Sequence, residues 1–313
     1  MLKINYSKKF DRNKYYKSIS KKYFYISKNE LLKVNIVNHP KSTIKLEELF
    51  NYFKSNKIGE FDAIFQNISF KCLTIGTFRT LQKIKNQICN KDNEFIKFLF
   101  DYTDLQQSKI APFFENNLEI STCYYCNIDF VNTYNTKNGK KNKFTLDHYF
   151  DKSTYPYLAL SLYNLIPSCY TCNSKLKGTI EFTNLAPSSK KYDFNHKVKF
   201  KLKMSDLCND LHIQNKNDIE INLKENYSND FKNFIERMHL DDRYKIHKNI
   251  VFDMIEKAEL YPESRLKELE NLTGIPFQQI KKDIFNLIDE NEDLSKQQFS
   301  KLIVDMSKEL GIL

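Results

Sequence analysis

The chain has 313 residues, of which 41% are hydrophobic and 28% are charged. These proportions are typical of a folded protein with one large domain or two smaller ones. Only six glycines and seven prolines are present, which excludes a repetitive or linker-rich chain. No apolar run is long enough to span a membrane, and MLKINYSKKF lacks the apolar core of a signal peptide. We therefore expect a cytoplasmic protein without a membrane association, whose thiols stay reduced.

The formal net charge of +10 is distributed unevenly along the chain. Residues 1–60 carry 14 Lys/Arg and 5 Asp/Glu, whereas residues 201–313 carry 17 and 22. A basic N-terminal third is typical of a protein that binds nucleic acid, because contacts to phosphates release counterions. The alternative is a set of solvated lysines with no ligand, and charge alone does not separate the two interpretations.

Helical spacing of apolar residues dominates the first third of the chain. The Lys/Tyr-rich residues 1–30 predict an extended arm or a strand, whose aromatic rings either stack on bases or pack on the protein. Residues 44–58 predict one helix and residues 78–100 predict two. Cys72 and Cys89 lie in apolar contexts, so we expect each to be a small core residue.

Residues 120–180 have a different pattern, with short strands, turns and paired cysteines. KNKFTLDHYF predicts a strand that enters a loop, YNLIPS a second strand, and CYTCNSKLKG a short helix that Gly178 ends. HKVKFKLKM alternates like a strand. From residue 228 onward the spacing predicts helices. Pro262 and Pro276 would lie at the starts of two of them, and Ser295 would cap the last.

Two CxxC pairs, Cys123/Cys126 and Cys169/Cys172, stand out among the motifs. A CxxC turn places two thiolates at the separation that one tetrahedral zinc requires, and two turns complete its shell. A redox pair or unrelated buried cysteines are the alternatives, but a redox pair would not explain why there are two. A closed four-cysteine site leaves no position for substrate, so we expect this zinc to be structural.

Four polar residues in and beside the insert between the pairs have the chemistry of phosphodiester hydrolysis. Asp147 offers a hard oxygen ligand for Mg²⁺ or Mn²⁺, and His148 can accept a proton from water. Asn164 could orient the imidazole or its loop, and Asn173 offers an amide oxygen. Neighbours on a strand point to opposite faces, so Asp147 and His148 could serve one site only if the strand bends there.

The segment from Cys123 to Gly178 resembles the HNH endonuclease motif, which has a ββα-metal fold. The resemblance rests on the pattern DH…N…CxxCN. It implies that Asp147 and Asn173 bind the catalytic ion, that His148 is the general base, and that Asn164 supports the loop. Many members have His where this chain has Asn173. The run from LDHYF to SKLKG is also similar to the HNH subunit of Septu-type and retron-associated anti-phage systems, which implies an ABC/SMC-like ATPase partner.

The sequence as a whole predicts an α+β protein, mostly helical, with a central zinc-stapled ββα unit. We expect a basic helical region at 1–115, the HNH nuclease domain at 116–200 and a helical region at 201–313. The expected function is metal-dependent cleavage of nucleic acid, DNA rather than RNA, with Lys175 and Lys177 touching phosphates. The alternatives are a tRNA- or RNA-cleaving effector and a zinc-stabilised adaptor that binds nucleic acid without cutting it.

Overall fold

A computed structural model describes residues 1–6, 10–21, 23–25, 43–88, 93–105, 109–118, 120–137, 139–182, 185–204 and 213–313. The predicted α+β class is confirmed, because these residues form many helices and four small antiparallel sheets of two strands each. In these ranges no helix is both long enough and apolar enough to cross a membrane.

Contacts between residues group the chain into two compact units. One comprises Ile4–Ile120 and Val131–Tyr192; the other comprises Met1–Lys3, Ser121–Phe130 and Asp193–Leu313. This division by contacts differs from the boundaries 1–115, 116–200 and 201–313, which stay a prediction. Each unit is built from segments that are distant in sequence, whereas motifs and composition can only divide the chain into consecutive stretches.

The unit that contains Ile4–Ile120 and Val131–Tyr192 is mostly helical, with three short 3-10 helices, Ile58–Glu60, Pro156–Leu158 and Leu162–Asn164, beside longer ones. The other described helices are α1 (Arg12–Ser20), α2 (Leu46–Ser55), α3 (Phe61–Phe65), α4 (Phe70–Ile75), α5 (Phe78–Gln87), α6 (Glu94–Leu99), α7 (Thr103–Leu105), α8 (Ala111–Leu118) and the π-helix α9 (Thr171–Lys177). The predicted helices at 44–58 and 78–100 are thus present as α2, α5 and α6. Residues 1–30, predicted as an arm or strand, contain α1 and the short strand β1 (Tyr23–Tyr25), and the rest of that range is described only in part.

Phenylalanine rings form the core of this unit. Helix α2 buries Leu46, Leu49, Phe50 and Phe53, which recur at the helical period. The Phe50 ring centroid lies 5.2–6.3 Å from those of Phe61, Phe65, Phe70 and Phe100. Such edge-on and tilted ring pairs stabilise a core beyond the area they bury. The contacts that attach the loop between residues 149 and 163 to this core include Phe65 to Tyr157, Ser161 Oγ to the Leu73 carbonyl, and Tyr15 Oη to the Leu160 carbonyl.

The strands of this unit form three hairpin-like pairs. β1 pairs with β2 (Thr43–Lys45), β3 (Thr133–Thr136) with β4 (Gly139–Asn142), and β5 (Thr145–His148) with β6 (Leu165–Ser168). Strands β5 and β6 are those predicted from KNKFTLDHYF and YNLIPS. Helix α9 follows β6 directly and ends at Gly178, whose φ of 54° favours glycine. The Gly178 N–H donates to the Asn173 carbonyl at 2.8 Å, which is a π-type hydrogen bond.

The second unit packs helices against one long hairpin. Strands β7 (Val198–Met204) and β8 (Ile219–Glu225) pair over seven residues each. The helices are α10 (Phe194–Lys197), α11 (Lys232–Arg237), α12 (Leu240–Lys245), α13 (Lys248–Leu260), α14 (Glu263–Thr273), α15 (Phe277–Phe285) and α16 (Ser300–Glu309). Pro262 and Pro276 occupy the N-cap positions of α14 and α15, as the sequence predicts.

Two predictions about single residues are wrong. Ser295 does not cap the last helix, which begins at Ser300; Asn127 accepts a hydrogen bond there from the Lys301 N–H at 3.2 Å. The cap thus comes from a residue distant in sequence, which local rules do not detect. Cys72 is exposed on α4 instead of buried, because Phe70 and Leu73 occupy the core-facing positions there. Cys89 lies outside the described residues.

Candidate metal centre and adjoining polar site

Each CxxC pair lies in a turn that directs backbone N–H groups at sulfur. The Ile128 N–H donates to Cys126 Sγ at 3.5 Å, and the Cys172 N–H donates to Cys169 Sγ at 3.4 Å. The Asn173 N–H also donates to the Cys169 carbonyl at 3.0 Å, which places this turn at the start of α9. Donors directed at sulfur favour the thiolate form, which is the form that binds metals.

The four sulfur atoms converge. Cys123, Cys126, Cys169 and Cys172 are all buried, and their Sγ atoms lie within 4.8 Å of one another. Four sulfurs about 2.3 Å from one tetrahedral ion would be separated by roughly 3.8 Å, so this spacing suits such an ion with slight contraction. The predicted four-cysteine cluster is confirmed. It could hold a metal ion such as zinc.

Strand β5 and helix α9 face each other through two pairs of polar side chains. Thr145 and Asp147 share one face of β5, and Asn173 and Lys177 lie four residues apart on α9. The Asn173 amide nitrogen donates to Thr145 Oγ1 at 2.9 Å. Lys177 Nζ lies 3.1 Å from Asp147 Oδ1 and donates to the His148 carbonyl at 2.9 Å. The Asp147 carboxylate and the Asn173 carboxamide therefore both lie between β5 and α9.

The imidazole of His148 is buried and held by two contacts. Its Nε2 lies 3.0 Å from the Ala159 carbonyl oxygen, and the Tyr102 ring packs against it edge-to-face with centroids 4.5 Å apart. Burial lowers the pKa of His148 to about 3, although the contact with the Ala159 carbonyl acts in the opposite direction. A carbonyl only accepts hydrogen bonds, so the neutral ring carries its proton on Nε2 and has its lone pair on Nδ1.

Asn164 spans the loop that follows His148. Its Oδ1 accepts from the Phe150 N–H at 2.7 Å, and its Nδ2 donates to the carbonyls of Phe150 and Leu158, both at 3.0 Å. Its backbone carbonyl accepts from the Tyr149 N–H at 2.8 Å. Because every polar atom of this fully buried side chain is used, Asn164 fixes both ends of the loop relative to each other. The contact is to the loop and not to the imidazole.

No family model, curated protein or solved structure matches this chain.

The two lysines predicted to touch phosphates have different environments. Lys175 is exposed, and its Nζ lies 5.9 Å above the exposed ring of Tyr170. Lys177 has no solvent exposure, and its ammonium group already contacts Asp147 and the His148 carbonyl. A contact to nucleic acid stays a prediction for Lys175; for Lys177 it would require the ion pair with Asp147 to open.

Sequence reasoning did not find three contributors to this site. Thr145 precedes Asp147 by two residues, so strand alternation could have identified it as facing Asn173. Tyr102 and the Ala159 carbonyl are brought to His148 only by tertiary packing. No local pattern predicts them.

Proposed function

We propose that the chain is an HNH-type nuclease in which His148 removes a proton from the water that attacks a phosphodiester. The observation that carries this proposal is the contact between His148 Nε2 and the Ala159 carbonyl. It fixes the tautomer and leaves Nδ1 as the acceptor that a general base requires. The DH…N…CxxCN pattern of the sequence supports the same assignment.

Asn164 acts as a positioning residue in this proposal. Its side chain joins Phe150 to Leu158, which lies next to Ala159, so it holds the carbonyl that orients the imidazole. A general base must keep its geometry within a fraction of an ångström to be effective. The three neutral hydrogen bonds of the buried Asn164 amide keep this geometry.

The divalent ion expected from the sequence would be held by Asp147 and Asn173. Both offer hard oxygen atoms from facing elements, which is the donor chemistry that Mg²⁺ or Mn²⁺ prefers, with water and phosphate completing the shell. When bound, such an ion neutralises the phosphate and the leaving oxygen. Lys177 already balances the charge of Asp147, so the ion would compete with this ammonium group for the carboxylate.

Zinc is the ion that we propose for the four cysteines, in a structural role. The Cys169–Cys172 turn leads directly into α9, which carries Asn173 and Lys177. An ion bound there would fix the start of that helix without contacting substrate. We keep DNA as the proposed substrate, with tRNA or other RNA as the alternative, and an ABC/SMC-like ATPase as the proposed partner in anti-phage defence.

The decisive experiment compares the wild-type protein with His148→Ala on supercoiled plasmid, linear duplex DNA and total tRNA, with Mg²⁺ or Mn²⁺. We expect cleavage of one substrate class by the wild type and a loss of 10²-fold or more in the variant, roughly the contribution of a general base. His196→Ala is the matched control, because His196 is exposed and pairs with nearby Asp193. The preparations should be repeated with the co-purified partner protein.

Two results would contradict the proposal. Undiminished cleavage by His148→Ala in a clean preparation would show that His148 is not the general base. Salt-sensitive binding without cleavage under any divalent ion, with and without the partner, would favour the zinc-stabilised adaptor.

A further inference from the structure

The outer face of helix α5 is basic and exposed. Arg79, Lys83 and Asn86 recur at one-turn spacing and face solvent, whereas Phe78, Leu81 and Ile84 are buried on the opposite face. An amphipathic helix needs polar residues on its outer face but does not need them to be of one charge. This face carries no acidic residue.

A pocket of about 260 Å³ lies along this face. Three cationic side chains, two carboxamides and one aromatic ring line it: Arg79, Gln82, Lys83, Lys85, Asn86 and Phe150. The lining thus combines donors of positive charge with neutral hydrogen-bonding groups. Such a combination suits an anion that offers several acceptor oxygens.

The three cations are not equivalent. Lys85 bonds to Glu181, and its Nζ lies 4.8 Å from the Phe150 ring centroid and 5.0 Å from that of Tyr155. Its charge is therefore already balanced, and it supports the wall of the pocket. Arg79 and Lys83 form no ion pair with any residue that the structure describes. They are the charges that remain available to a ligand.

The pocket adjoins the loop that carries the proposed base. Phe150 follows His148 by two residues, and its ring stacks on Phe78 of α5 with centroids 5.2 Å apart and planes at 11°. The backbone of Phe150 is held by Asn164 on both its N–H and its carbonyl. Phe150 therefore belongs both to the lining of the pocket and to the loop that Asn164 fixes after His148.

We propose that this α5 pocket, defined by Arg79, Gln82, Lys83, Asn86 and Phe150, binds the phosphate backbone of a nucleic acid. Arg79 and Lys83 contact phosphate oxygens, and the two carboxamides donate to neighbouring phosphate or sugar oxygens. Phe150 is fully buried, so its ring offers no face on which a base could stack. The inference rests on the proposed function, since it assigns the pocket to the substrate of that site.

The test measures binding of a fluorescently labelled 20-base-pair DNA duplex, its single strand, and an RNA of the same sequence, by anisotropy over a series of NaCl concentrations. The variant is Arg79→Gln/Lys83→Gln, studied in the His148→Ala background so that no cleavage occurs. We expect the dissociation constant to rise roughly tenfold and the slope of log affinity against log salt to fall by about 2.

Two matched variants control for charge and fold. Lys257→Gln/Arg265→Gln removes one lysine and one arginine from exposed positions of α13 and α14, and should leave binding near that of the parent. Arg79→Lys/Lys83→Arg keeps both charges and should restore most of the affinity. An unchanged dissociation constant in Arg79→Gln/Lys83→Gln, or an equal loss in Lys257→Gln/Arg265→Gln, would overturn the inference.

Failure of the pocket and failure of the nuclease proposal give different results. If the wild type cleaves and the pocket variant binds like its parent, only the pocket assignment is wrong. If binding depends on Arg79 and Lys83 but the wild type never cleaves, the pocket stands and the nuclease proposal falls.

Discussion

Among single residues, the buried ion pair of Lys177 and Asp147 has the largest consequence for the proposed site. Their side chains are 0% and 2% exposed, and the Lys177 ammonium also bonds to the His148 carbonyl. Removing one partner of such a pair leaves an uncompensated charge, which costs about 3–5 kcal/mol. A divalent ion on Asp147 would supply the missing positive charge.

We therefore predict that Lys177→Met is destabilised and that Mg²⁺ restores part of the loss. The thermal midpoint of the variant should rise with millimolar Mg²⁺ more than that of the wild type, because Asp147 is no longer occupied by an ammonium group. The experiment uses Mg²⁺ because the cysteine thiolates would bind a softer ion. Lys175→Met, on the exposed side of the same helix, is the control and should show no such gain. Equal increases of the thermal midpoint with Mg²⁺ in all three proteins would show that Asp147 is not a metal ligand.

Among the elements, α16 and β7 are joined by a second buried charge pair. Asp305 accepts a hydrogen bond from the Phe200 N–H at 2.9 Å, and both Lys301 and Lys199 pair with it. The Lys301 ammonium also donates to the Asn195 carbonyl at 3.0 Å. Burial lowers the pKa of Lys301 from 10.5 to about 8, although Asp305 acts in the opposite direction.

This shift predicts a pH dependence of stability. Between about pH 8 and 10.5 the unfolded chain binds a proton at Lys301 that the folded protein has released, so the free energy of unfolding rises with pH in that window. Between pH 8 and 9.5 the contribution is on the order of 1 kcal/mol. Urea unfolding of the wild type and Lys301→Met should show this rise only in the wild type, and Lys257→Met, a change at an exposed position of α13, should keep it. A parallel pH profile of wild type and Lys301→Met would contradict the prediction.

Elements with strong local patterns were predictable from the sequence, and elements built by distant contacts were not. The alternation in KNKFTLDHYF and YNLIPS identified β5 and β6, and helical spacing identified α2, α5 and α6, because burial of one face determines both. The start of α16 depends on Asn127, and the exposure of Cys72 depends on which face of α4 meets the core. Neither feature can be inferred from the residues that are adjacent in sequence.

For the candidate site the same distinction holds. The CxxC spacing was enough to predict that four sulfurs meet, because each turn presets half of the cluster. The roles of Tyr102 and the Ala159 carbonyl at His148 could not be read from the sequence, since backbone groups have no residue signature. The occupation of Asp147 by Lys177 is also a tertiary result, although both residues had been singled out separately.

For the whole molecule, the cysteine cluster predicts that a bound ion contributes to folding. We expect one zinc per chain by elemental analysis after purification under reducing conditions. Cys169→Ser should lose most of the zinc and unfold on the order of 10 °C lower, because binding to the folded state adds to its stability. Cys72→Ser is the matched control, since Cys72 is exposed on α4 outside the cluster, and should keep both zinc and midpoint. Full stability of metal-free protein would contradict a structural role for the ion.

The hydrogen bond from Gly178 to Asn173 makes α9 one residue richer per turn than an ordinary helix. A wide turn of this kind arises when a single residue is inserted into an α-helix. Deleting Ser174 would reverse that insertion and leave Asn173 and Lys177 three residues apart in an ordinary α-helix, where residues at this spacing still share one face. Asn173 and Lys177 could then still meet Thr145 and Asp147, so the wide turn adds one residue to this segment without changing which two side chains face β5.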